Sequence, residues 1–110
     1  MRNGDHVTVR VCEWDHPKIG TRQEAIIDTH SFISKLPEAA WQELGVKPLF
    51  KHWETRKPAG LVLFELRGHR ASDSVILTKG QARISLPVLT GMGYWEDPET
   101  GMLHWSLPRL

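Results

Sequence analysis

Valine stands at every second position near the start of the chain, where Val7, Val9 and Val11 alternate with Thr8, Arg10 and Cys12. A period of two sends one set of side chains to one face, so His6 to Trp14 reads as a strand with a single buried face. Asp15 to Gly20 supplies turn residues, and Arg22 to Ile27 returns as a second strand, which makes the opening a β-hairpin. Leu61–Leu66 and Ser74–Thr78 repeat the pattern around Arg67-Gly68-His69-Arg70, and a shorter apolar element follows at Ala82–Leu86. Helical signals are confined to short stretches. Pro37 suits a first helical position, Glu38 the positive N-terminal end and Gly45 the close, which puts Ala40, Trp41 and Leu44 on an inner face. Pro87–Gly93 reads as a second helical turn, and Asp97-Pro98-Glu99-Thr100-Gly101 as a turn between Gly93-Tyr94-Trp95-Glu96 and Met102-Leu103-His104-Trp105. The chain is expected to be mainly β with one or two short helices.

A length of 110 residues fits one domain, residues 1–110, large enough to fold around a single core. A net charge of +1, with Arg2, Arg10, Lys18 and Arg56-Lys57 scattered, leaves no footprint for nucleic acid or a membrane surface, and neither is expected as a partner. The longest apolar run, Leu61 to Phe64, is far too short to cross a bilayer. Cys12 is the sole cysteine and the opening residues lack the apolar core of a secretory signal, so a cytoplasmic location is the default expectation. His6, Cys12, Asp15 and His16 are metal-ligand types, but their spacing matches no structural zinc pattern and alternate strand positions face opposite ways. No metal and no cofactor are expected.

One stretch carries more chemistry than the rest. Ala25-Ile26-Ile27 delivers Asp28 and Thr29 from the end of an apolar strand into a polar turn, and Leu36-Pro37 with Leu44-Gly45-Val46 follows. With Gly93 through Leu103 at the far end, this order of parts resembles the retropepsin-like aspartic proteases, specifically the small single-domain retroviral and bacterial type. The resemblance runs from about Val7 to His104. It implies a closed or partly open acid-protease barrel with half a catalytic site per chain, and hence a homodimer in which Asp28 of each copy forms a carboxylate dyad. In such a dyad one carboxyl stays protonated while the other activates the water that attacks a peptide bond. Thr29 is then expected to support the pair by hydrogen bonds across the dimer axis. From the residues alone, an acid after a strand equally serves to cap its own turn.

The chain departs from that family pattern in three places. Where the family has Asp-Thr/Ser-Gly, this sequence reads Asp28-Thr29-His30, so a residue with a Cβ, strained if φ is positive, and a titratable imidazole sit beside the carboxylate. Ser85, in Arg83-Ile84-Ser85, replaces a glycine that packs behind the same loop and is expected to crowd it. The segment from Val46 to Gly60, where the family carries a flap, is short and has no glycine at its tip; Trp53 within it is a candidate to cover the groove or a partner. Trp105 near the C-terminus is a candidate for an intersubunit sheet. These readings lead to a retropepsin-like homologue that is impaired in catalysis or repurposed to bind a polypeptide as a homodimer, with Asp28, Thr29 and His30 at the axis and Trp53 and Ser85 at the groove or flap. The alternative is an active dimeric aspartic endopeptidase using paired Asp28 carboxylates, or, less directly, His30 as the base.

Overall fold

The computed structural model of the chain describes residues 1–105. The alternating valines form β1 (His6–Glu13), and the return strand is β2 (Gly20–Asp28), paired antiparallel with Val9 opposite Gln23. Beyond the Asp28 turn lie β3 (Ser34–Pro37) and α1 (Glu38–Leu44). Pro37 closes β3 in an extended conformation and caps α1 rather than opening it, while Gly45 ends the helix with φ of 66°, the left-handed conformation glycine adopts without cost. The buried face of α1 is Ala40, Trp41 and Leu44.

A short β4 (Phe50–Lys51) leads into the long hairpin β5 (Pro58–Leu66) and β6 (His69–Thr78). Only Arg67 and Gly68 separate its strands, both at positive φ (52° and 83°), the tight two-residue turn whose twist matches that of the strands. The turn expected to occupy four residues therefore occupies two. Then come β7 (Ala82–Ser85), α2 (Leu86–Met92), β8 (Tyr94–Glu96) and β9 (Leu103–Trp105).

The strands run β1-β2-β7-β3-β6-β5, and β1 pairs again with β5, which closes a six-stranded barrel. Two of its joints, β2 with β7 and β3 with β6, are parallel. Strand β5 serves two neighbours on one edge: its first residues pair with β4, its last with β1. Inside the barrel Val9, Val11, Ile27, Leu36, Phe64, Val75 and Ile84 are fully buried, and Val88 and Leu89 of α2 join them. No helix among the described residues is long and apolar enough to cross a membrane.

The C-terminal hairpin β8–β9 turns through Asp97–Gly101, where the Asp97 side chain accepts from the Glu99 N–H at 2.9 Å and Gly101 has φ of 72°. The chain start lies beside it: Leu103 N–H donates to the Met1 carbonyl at 2.7 Å and Arg2 bridges to Met102. Trp105 is committed within its own chain, its indole N–H donating to the Met92 carbonyl at 2.7 Å and its ring stacked on His69 at 4.3 Å. Tyr94 meets the edge of the same His69, and burial pushes its hydroxyl pKa up, partly offset by the Arg67 cation.

Candidate functional site

Asp28 is the last residue of β2, held beside Ser85 in the parallel pairing with β7. Its neighbour Ile27 is fully buried in the barrel, so alternation along β2 turns the carboxylate outward, and Thr29 follows buried in the turn. One carboxylate oxygen, Oδ1, accepts the His30 backbone N–H at 3.2 Å, and Ser31 N–H reaches the Asp28 carbonyl at 3.3 Å. The acid thus caps its own turn. The other oxygen, Oδ2, accepts from the Arg83 guanidinium at 3.3 Å. Both oxygens are engaged inside the one chain.

The loop is tied down from several sides. Asn3 accepts the Thr29 N–H on its side-chain oxygen at 2.8 Å, Gly4 N–H donates to the Ile27 carbonyl at 2.7 Å, and Leu86 N–H donates to the Ser31 carbonyl at 3.0 Å. The Thr29 hydroxyl is buried and has no hydrogen-bond partner among the described residues. His30 is exposed, and its bond to Asp28 comes from the backbone, not the ring. The only described non-glycine residues at positive φ are Arg56 and Arg67, so the strain anticipated at His30 does not arise.

Ser85 is fully buried within the single chain. Its hydroxyl accepts from the Ser34 hydroxyl at 2.8 Å, and the Ser34 oxygen in turn accepts the Ser85 N–H at 2.9 Å. The extra side chain is absorbed by a polar pair on β3 and β7 instead of pressing on the loop. Replacing Ser34 by valine strands both Ser85 groups in the core, so we expect a loss of about 1–3 kcal/mol in a urea melt. The same change combined with Ser85→Gly should recover part of it; an equal loss in both would remove the pair from the account.

The segment expected to be a shortened flap is a hairpin of β4 and β5, in which Phe50 pairs with Ala59. At its tip His52 N–H donates to the Lys57 carbonyl at 2.9 Å, and His52 Nδ1 accepts the N–H groups of Glu54 and Thr55 at 3.2 and 3.3 Å. No glycine is needed because Arg56 takes the positive φ, 61°, and the His52 ring replaces a missing backbone acceptor. Trp53 projects from this tip, 81% exposed and stacked only on His52.

Between Asp28 and that hairpin the pairing register draws a line across the sheet. Ile26 pairs with Arg83, Arg83 with Lys35, Lys35 with Ile76, Ile76 with Ala59, and Ala59 with Phe50. Lys35 and Arg83 are flanked in sequence by buried Ser34, Leu36, Ala82 and Ile84, so both side chains leave on the outer face of the barrel, the face of Asp28. The sequence alone assigned no role in the site to Lys35 or Arg83. Arg83 had a signal, since it is a cation where the family pattern is apolar; Asn3 had none, because only the fold brings it to Thr29.

The metal-ligand types read from the sequence do not assemble: His6 pairs with Glu24 at 3.1 Å and Cys12 is buried. Glu13, Asp15 and His16 do bring ligand atoms within 4.8 Å of one another on the β1–β2 turn, where Asp15 and His16 are exposed.

No family model and no curated protein matches the sequence. Solved structures share the fold, among them the following three. The EIAV protease in complex with the inhibitor HBY-793 aligns over 84% of this chain and 89% of its own at a TM-score of 0.57 and 13% identity. The retroviral protease-like domain of Ddi1 from Leishmania major aligns over 96% and 88% at 0.58 and 14% identity. The foamy viral protease-reverse transcriptase in complex with an RNA/DNA hybrid aligns over 77% of this chain but only 12% of its own, at 0.53 and 19% identity. The fold of the chain is retropepsin-like.

Proposed function

We propose that this retropepsin-like chain acts as a homodimer that binds a polypeptide without cutting it, with Asp28, Thr29 and His30 at the dimer axis. The observation that carries the reading is the state of Asp28. Dyad chemistry needs two carboxylates that share a proton, each with an oxygen free for the attacking water. Here Oδ2 is bound to a permanent cation and Oδ1 to a backbone N–H. The guanidinium occupies the oxygen that a second carboxylate or the attacking water would have to reach, so the dyad geometry would form only if Arg83 moved away. His30 adds an exposed imidazole at the same turn, where the family pattern has glycine.

Dimer formation is supported by the buried, unpartnered Thr29 hydroxyl, since leaving such a group unbonded costs about 1–3 kcal/mol that a second copy of the loop can relieve. The Thr29 N–H is already used by Asn3, so the hydroxyl and not the amide would cross the axis. The exposure of Trp53 on its hairpin supports the reading, since an aromatic side chain there is free to pack on a bound chain. A cytoplasmic setting agrees with the unpaired, buried Cys12.

The test is incubation with a mixed peptide library from acid to neutral pH, beside Asp28→Asn. We expect no cleavage above background from either protein, and a dimer by sedimentation at micromolar concentration. Cutting that vanishes in Asp28→Asn would establish an active endopeptidase instead; a monomer would overturn the paired site.

A further inference from the structure

The outer-face line from Asp28 to the hairpin is not uniform in character. At one end are three charged groups, Asp28, Arg83 and Lys35; beyond the buried Ile76 and Ala59, the other end carries the half-exposed Phe50, with Trp53 at the tip. Arg83 spends one hydrogen bond on Asp28 and keeps 41% of its side chain exposed, with further N–H donors unused. Lys35 lies directly across from it and makes no hydrogen bond or ion pair among the described residues. Facing side chains on neighbouring antiparallel strands are close enough for both cations to reach a single anion. One acid against two cations leaves this part of the face with a net positive charge.

Resting on the polypeptide-binding reading above, we propose that the ligand is an acidic polypeptide, and that Lys35 and Arg83 together take an aspartate or glutamate side chain of it. An unpaired lysine next to an arginine is a repulsive arrangement on a bare sheet, and an incoming carboxylate turns it into an attractive one. The planar guanidinium is suited to this: it holds Asp28 through one N–H and presents others to a second carboxylate. Phe50, exposed further along the line, then receives an apolar neighbour of the acid. The specificity follows from charge placed where the barrel's pairing register puts it, and the overall charge of +1 contributes little.

The experiment uses the full chain and three fluorescein-labelled peptide pools of equal length with randomised apolar positions, their fixed positions all Glu, all Gln or all Lys, read by fluorescence anisotropy. The Glu pool should bind about tenfold more tightly than the Gln pool at low salt, an advantage that added salt erodes. The Lys pool should bind least. Lys35→Gln and Arg83→Gln should each remove most of the preference for Glu over Gln, with folding checked by circular dichroism, while Lys18→Gln on the remote β1–β2 turn should leave it. Equal binding of the Glu and Gln pools would overturn the acidic ligand and leave polypeptide binding standing. A preference that falls equally in Lys18→Gln would overturn the local site, and no binding of any pool would sink the polypeptide reading itself.

Discussion

Replacing Phe64 with alanine should destabilise the chain by about 3–5 kcal/mol, the cost of a large cavity where neighbours collapse only partly. Phe64 is fully buried near the middle of β5, opposite Ala71 of β6 on one side and Val11 of β1 on the other. It therefore stands at the seam where the barrel closes, and a void there weakens two strand pairs at once. For a domain of this size the loss lowers the melting temperature by on the order of 20 °C. The same truncation at Leu61, on the outer face of the same strand and only partly buried, should cost far less. Thermal melts of the two variants decide it: similar shifts would mean that the inside of the barrel does not hold the molecule together.

A second large effect is expected at Gly93, where α2 ends with φ of 102°. An added Cβ would sit 2.6 Å from the Trp105 indole nitrogen and 3.2 Å from its neighbouring ring carbon. Gly93→Ala thus combines left-handed strain of about 1–2 kcal/mol with overpacking of about 1–3 kcal/mol. It also pushes Trp105 off the Met92 carbonyl and off His69, so a change in tryptophan fluorescence should accompany a loss of about 3 kcal/mol. Gly68→Ala is the control, because that glycine has φ of 83° with nothing within 4 Å of the added carbon. If both variants lose the same amount, the Trp105 contact contributes nothing.

Period and punctuation made much of this fold legible. The alternating valines announced β1, the Gly45 stop marked the end of α1, Pro87–Gly93 located α2, and Asp97–Gly101 marked the C-terminal turn. Strands β3 and β4 escaped notice because segments of four and two residues are too short for a period to emerge. Pro37 was displaced by one position because an X-Pro step is compatible with both an extended end and a helical start. At the site, Asp28 and Thr29 were readable from the apolar strand that ends on them. The partners were not. Ser34 answering Ser85, Asn3 holding Thr29 and Arg83 binding Asp28 all join residues far apart in sequence, and only the closed barrel sets their distances. The fear that Ser85 would crowd the loop failed for this reason: its compensating residue lies 51 positions away.

The parallel joints of the barrel also govern how the chain reaches this state. A hairpin can zip from its turn, but β3 must find β6 across α1, β4 and β5, and β2 must find β7 across the whole β5–β6 hairpin as well, before any local contact rewards them. The loop entropy of that search falls early and the reward comes late. Asp28 therefore acquires its guanidinium, and Ser85 its hydroxyl partner, in the same event that closes the barrel. Until then the edges of β2 and β3 are open to other chains, and the site residues are strangers to one another.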